Sequence, residues 1–264
     1  MSTLVMGILN VTPDSFADGG RHFTTETAIA RANQMIEEGV DIIDVGGEST
    51  RPGAERVDED EERRRVIPVI TEIAKLGAVI SIDTMRATIA KEAIEAGASY
   101  VNDVSGGLAD SKMSSLIASS PGVQYIAMHW RGHSQSMAEK AQYNDVVSDV
   151  RRELATRTEV LVSEGVDPDQ IIIDPGLGFA KESDHNWELL QGLDRIALLG
   201  FPMLIGASRK RFLGELLGGV PTDQRDVASV AITVMLASKG VWGVRTHSVK
   251  PHKDAIKVVD RWMR

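Results

Sequence analysis

Asp83, Asn102 and Asp174 each stand at the end of a short apolar run, in the segments SIDT, VND and IIIDP. Two carboxylates and one amide make a hydrogen-bonding set that suits a flat heterocycle with amino and ring N–H donors, such as a pterin or guanine edge. Plainer roles suit the same residues, as caps that begin the following helices or as hard oxygen ligands for a cation. No tight acidic cluster surrounds them, which argues against a metal cage made wholly of protein. A second set is cationic and comprises Arg51, Arg209, Lys210, Arg245 and His247. Arg and Lys close to helix N-termini form a natural phosphate or pyrophosphate site, so these charges are expected to meet. Arg245 and His247 lie two apart at a strand end and should point the same way. The first apolar run ends at Asn10 and opens into a loop that holds Thr12, Asp14, Ser15, Phe16 and Asp18.

Other chemistry finds little support. Neither a phosphate-cradling Gly-x-x-x-x-Gly-Lys-Ser/Thr loop nor a Gly-x-Gly-x-x-Gly turn occurs in its proper setting. No serine sits in a Gly-x-Ser-x-Gly elbow. His22, His133, His185 and His252 show no metal-ligand spacing and read as structural, while Trp187, Trp242 and Trp262 read as packing residues. The run from Asp58 to Arg65 has acids first and bases after, which suits a helix start with a solvated face.

Groups this far apart in sequence need a scaffold that brings chain segments to one place. Eight short apolar runs read as strands: Leu4–Leu9, Asp41–Val45, Val79–Ile82, Tyr100–Asp103, Gln124–Met128, Ile171–Asp174, Met203–Ile205 and Val241–Thr246. Segments of helical spacing alternate with them, and the first three end at Gly39, Gly77 and Gly97, glycines that suit a helix C-terminus. Strict alternation implies parallel strands with helical crossovers, and eight units predict a single-domain (β/α)8 TIM barrel over residues 1–264, with an open doubly wound sheet as the alternative. In such barrels the site forms at the C-terminal ends of the strands, where all these polar residues fall.

The 264 residues match the size of such a barrel, about 250 residues. Hydrophobic residues make up 42% of the chain, enough for a large core. The net charge of -9 argues against nucleic acid and anionic membranes as partners. Absence of cysteine excludes disulfides and thiol chemistry. With no secretion signal and no apolar run near the roughly 18 residues of a membrane span, a cytoplasmic protein is expected.

The segments GILNVTPDSFADGG, DVGGESTRPGA, SIDT, VNDVSGG, IIIDPGLGFAK, GASRKRFLG and GVRTHSV, in this order over nearly the whole chain, together resemble the dihydropteroate synthase family. The resemblance implies a homodimeric TIM barrel and a transferase of folate biosynthesis that is a sulfonamide target. Its reaction joins 6-hydroxymethyl-7,8-dihydropterin pyrophosphate to 4-aminobenzoate, giving 7,8-dihydropteroate and pyrophosphate. Asp83, Asn102 and Asp174 would then hold the pterin, with Lys210 at its carbonyl side and Met128 and Phe179 packed near the ring. Asn10, Arg245 and His247 would anchor the pyrophosphate, with Asn10 contacting a magnesium ion. Phe16, Thr50, Arg51, Pro52, Ser208 and Lys210 would frame the aminobenzoate, and Asp18 would stabilise positive charge during the reaction. Ala17 and Ala180 depart from the family's usual serine and glycine. Two rivals would share the pterin set: a methyltransferase acting on methyltetrahydrofolate, and a pterin-binding protein without catalysis.

Overall fold

The computed structural model describes residues 2–12, 25–48, 57–134 and 137–264. Parallel strands alternate with helices from one end to the other: β1 (Leu4–Asn10), α1 (Thr25–Glu37), β2 (Ile42–Gly46), α2 (Glu59–Ala74), β3 (Ile80–Asp83), α3 (Ala87–Glu95), β4 (Tyr100–Asp103), α4 (Met113–Ala118), β5 (Gln124–Met128), α5 (Val146–Ser163), β6 (Ile171–Asp174), α6 (Ser183–Gln191), α7 (Leu193–Ala197), β7 (Leu204–Ile205), α8 (Arg211–Leu216), α9 (Asp226–Ser238), β8 (Gly243–Thr246) and α10 (Val249–Trp262). All eight expected strands are present. Their neighbour order runs β6-β5-β4-β3-β2-β1-β8-β7. A parallel bridge between Ile173 and Met203, with Ile173 N–H donating to the Pro202 carbonyl at 2.9 Å, joins β6 to β7 and closes the cylinder. This is the TIM barrel, not the open sheet.

Local chemistry sets the element ends. Asp58 caps α2 by accepting from the Glu61 N–H at 2.7 Å, as the acid-first run implied. Gly77 takes up the left-handed backbone after α2 (φ 74°), a conformation glycine adopts without a Cβ clash. The solvated-face reading of that run fails at Glu62, which is buried and accepts from Thr84 Oγ1 at 2.6 Å and from Arg86. Trp187 and Trp242 pack as expected, against Phe212 and Tyr100. Trp262 does not: it is 85% exposed near the end of α10.

Strand periodicity divides the interior of the barrel into a floor and a mouth. Met6, Ile42, Ile126, Ile172 and Leu204 form an apolar cluster, with Leu4, Tyr100 and Trp242 against it. Two residues further along the same strands come Asp44, Met128 and Asp174, and from the same face of β3, β4 and β8 come Asp83, Asn102 and Arg245. The larger core lies outside the strands, beneath the helices.

Ala180, in the loop after β6, is held at φ 48°, where its Cβ is strained. Ala180→Gly is therefore expected to stabilise the protein by about 1 kcal/mol and raise its melting temperature by about 2 °C. Calorimetry checks this, and an unchanged or lower melting temperature contradicts it.

Candidate active site

Arg245 is the centre of the mouth. Its Nε donates to Asp44 Oδ2 at 2.6 Å and one terminal nitrogen donates to Asp83 Oδ2 at 2.7 Å. Asn102 Nδ2 donates to the same Asp44 oxygen at 3.0 Å. β2, β3, β4 and β8 thus converge on one cation. Across the mouth, Asp174 Oδ1 accepts from the Gly176 N–H at 2.7 Å, which leaves Oδ2 uncommitted to that turn. Lys210 donates to the Leu177 carbonyl and lies 4.7 Å above the Phe179 ring. Met128 lines the wall beside Asp174, its register partner on β5. Gly206 lies between Arg245 and Lys210, a methyl group there falling 3.8 Å from Arg245 Cβ and 3.9 Å from Lys210 Nζ, and both cations act on Asp174, so they share the mouth.

Burial governs the charges here. It raises Asp83 to about 7; Arg245 opposes that rise, and the like charges of Asp44, Glu62 and Asp103 add to it. Asp174 is raised by burial against the pull of Lys210. Lys210 is lowered to about 8 by burial, with Asp174 resisting. Such a mouth can accept hydrogen bonds from a donor-rich ring and carries cations for an anion.

His247 sits at the rim, where its Nδ1 lies 3.0 Å from Ser208 Oγ and its backbone N–H donates to the same oxygen at 3.2 Å. Ser208 therefore steadies His247. Asn10 ends β1 beside Gly46 and is partly exposed. Arg209 does not join the cationic set. Its backbone turns through φ 59°, and its guanidinium forms a two-point pair with Asp226 at 2.6 and 2.7 Å. Phe16, Asp18, Thr50, Arg51 and Pro52 lie outside the described residues. Among the described residues no group of three or more His, Asp or Glu side chains could hold a metal ion.

Two features escaped the sequence reading. One is Asp44, fully buried beneath the rim. The other is a buried relay behind Asp174. Lys181 Nζ donates to the carbonyls of Gly176 and Phe179, both at 3.0 Å, and lies 3.1 Å from His129 Nδ1. The Glu153 carboxylate, held low by His129 and Arg131, only accepts, so Nε2 holds the proton and donates it to Glu153 at 2.9 Å, which leaves the lone pair on Nδ1 to accept from Lys181. Burial and Lys181 lower His129 to about 4, consistent with the neutral ring. Lys181 thereby ties down the turn that presents Asp174 and Phe179. A lysine directly after a Gly-rich turn was the available signal.

A closed barrel whose mouth combines acceptors for a flat heterocycle with buried cations defines an enzyme for an anionic, ring-bearing substrate. The chain belongs to the pterin-binding enzyme family, whose model matches residues 6–247. It is 48% identical to the dihydropteroate synthase of Mycobacterium leprae, over 98% of this chain and 93% of that one. Among solved structures it resembles the Xanthomonas albilineans dihydropteroate synthase with 4-aminobenzoic acid, at TM-score 0.93 and 41% identity over 99% of this chain and 93% of that one. The same organism's enzyme in complex with 7,8-dihydropteroate superposes at TM-score 0.89 and 38% identity, over 99% and 94% of the two chains.

Proposed function

We propose that this mouth joins 6-hydroxymethyl-7,8-dihydropterin pyrophosphate to 4-aminobenzoate, with the residues above in the following roles. The chain is a transferase of folate biosynthesis that makes 7,8-dihydropteroate. The observation that carries the assignment of roles is the meeting of Asp83, Asn102 and Asp174 with Arg245 and Lys210 in one hollow. The three acceptors take the amino and ring N–H donors of the pterin, while Met128 and Phe179 flank its faces and Lys210 meets its carbonyl side. Arg245 and His247 receive the pyrophosphate. The bond from the exocyclic methylene carbon to oxygen breaks, and its electron pair leaves with pyrophosphate. Positive charge spreads into the ring, where the buried carboxylates stabilise it. The amine nitrogen of 4-aminobenzoate then forms the new carbon–nitrogen bond and loses a proton. Ser208 and Lys210, with Phe16, Thr50, Arg51 and Pro52, frame the aminobenzoate, and Asp18 adds to the stabilisation of positive charge.

Asn10 fits a magnesium contact. Its amide oxygen is a hard ligand at the rim, and a single protein ligand suits an ion that takes the rest of its shell from phosphate and water. When bound, the ion neutralises charge on the leaving pyrophosphate. The test is to mix protein, magnesium, pterin pyrophosphate and labelled 4-aminobenzoate, and to follow pyrophosphate release and labelled dihydropteroate. Pterin binding without turnover would instead support a non-catalytic binder, and methyl transfer from methyltetrahydrofolate would support the other rival.

The homodimer is proposed through α9 and α10. Val227, Val234 and Met235 line the outer side of α9, and Val258 and Trp262 that of α10, all exposed. The two helices pack side by side. Exposed apolar side chains on two neighbouring helices suit an interaction surface. Sedimentation should give a dimer for the wild type and a monomer for Met235→Glu; an unaltered mass for that variant places the interface elsewhere. Among the described residues no helix is long and apolar enough to cross a membrane, and the cytoplasm is the compartment proposed.

A further inference from the structure

We propose that Asp44 is a positioning residue that sets the hydrogen-bonding polarity of the pterin site, fixing Asn102 and Arg245 together through one buried oxygen. This rests on the pterin-binding reading above and goes beyond it, because Asp44 has no access to any substrate. It is fully buried, one layer below the rim, beside Ser81 on β3. Its Oδ2 accepts from Arg245 Nε at 2.6 Å and from Asn102 Nδ2 at 3.0 Å.

The consequence for Asn102 is directional. The two ends of an amide are alike in shape and opposite in hydrogen bonding. A carboxylate only accepts, so the Nδ2 end must face Asp44. That leaves Oδ1 and the second Nδ2 hydrogen to meet the ligand, in a fixed order. Asn102 therefore adds an acceptor to the two that Asp83 and Asp174 supply, and a ring rich in N–H groups meets acceptors from three strands. Without Asp44 the amide could turn over and present its donor end.

The consequence for Arg245 is one of anchoring. Asp83 holds the guanidinium from the rim, yet Asp83 is also a pterin ligand. Asp44 holds Nε from below and competes for nothing else, so Arg245 stays in place whatever Asp83 does. Among the described residues the second Asp44 oxygen, Oδ1, is buried without a protein hydrogen-bond partner, as is Ser81 Oγ.

The test uses Asp44→Asn and the probe 6-hydroxymethyl-7,8-dihydropterin, which lacks the titrating pyrophosphate. Calorimetry from pH 5.5 to 8.5 reads both affinity and its acid limb. Asp83 faces Arg245 from β8, Asp44 from β2, Glu62 from α2 and Asp103 from β4. Without Asp44 the guanidinium of Arg245 is released, and Arg245 outweighs Asp44 among the charges acting on Asp83, so Asp83 ionises at higher pH. The expected result is binding weakened roughly tenfold to a hundredfold at pH 8, as for a displaced positioning contact, with the acid limb moved to higher pH. Unchanged affinity overturns the proposal, and so does a weakened affinity whose acid limb has not moved to higher pH. Should the variant lack a native melting transition, a crystal of the wild type with the same probe decides. Arg245 and Asn102 should both remain on Asp44 with Asn102 Oδ1 toward the ring, and a reversed amide or a departed guanidinium overturns the proposal. A wild type that binds no pterin at any pH overturns the functional reading instead.

Discussion

Asp174→Asn is expected to weaken pterin binding by about a hundredfold or more, without loss of folded stability. Asp174 Oδ1 is committed to the Gly176 N–H at 2.7 Å. An asparagine must keep its oxygen there, which turns its NH2 into the mouth. A donor then faces the donor edge of the ring. The variant loses a charged hydrogen bond and gains an unmatched polar contact, together about 3 kcal/mol, or roughly 150-fold in affinity. Stability should hold because burial already disfavours the ionised carboxylate, as its raised pKa shows. Titration calorimetry with the pterin and a thermal melt check both halves. Near-native affinity would remove Asp174 from the site, and a collapsed melt would make its role structural.

The largest effect on stability is expected from Arg245→Met. This change leaves Asp44 and Asp83 without their shared cation, and both are buried. Breaking a buried pair by removing one partner costs about 3–5 kcal/mol. The cost should depend on pH, with a definite sign. Asp83 is already raised to about 7, against an unfolded value of about 3.9, and loss of Arg245 removes the main influence holding it down. A carboxylate whose folded pKa is raised binds more protons folded than unfolded. Its contribution is therefore most favourable at low pH and is lost as pH rises through the folded value. Urea denaturation at pH 5.5 and 8 should show the variant much weaker at pH 8 and closer to wild type at pH 5.5. Equal losses at the two pH values would mean that Asp83 does not carry the effect. Turnover should vanish at both, because the same guanidinium is proposed to receive the pyrophosphate.

Much of this was legible in the chain. Apolar runs of strand length, separated by helical spacing, were enough for all eight strands, and the strand ends with the loops that follow them held Asp83, Asn102, Asp174, Lys210 and Arg245. The misses have physical causes. Asp44 stands one residue before the end of its run, but the polar loop that follows, with Glu48, Thr50 and Arg51, offered the more obvious chemistry there, although an acid in IIDVG on the inward row was visible. Arg209 and Lys210 are adjacent, but the left-handed backbone at Arg209 sends the two cations to different partners. Glu62 is surrounded in sequence by solvated acids, and only the packing of α2 against the barrel singles it out. The β6–β7 connection contains two short helices, α6 and α7, where the repeating pattern implied one.

The shared rows of floor and mouth restrict how this protein can change over generations. Each strand interleaves one inward row with one outward row, and the same inward row supplies apolar floor and polar wall. Inserting or deleting one residue within a strand would swap those rows for everything beyond it, spoiling core and chemistry at a stroke. Gains and losses of length are thus confined to the connections between elements. The catalytic mouth is free to acquire new loops around it, while the framework beneath stays locked in phase.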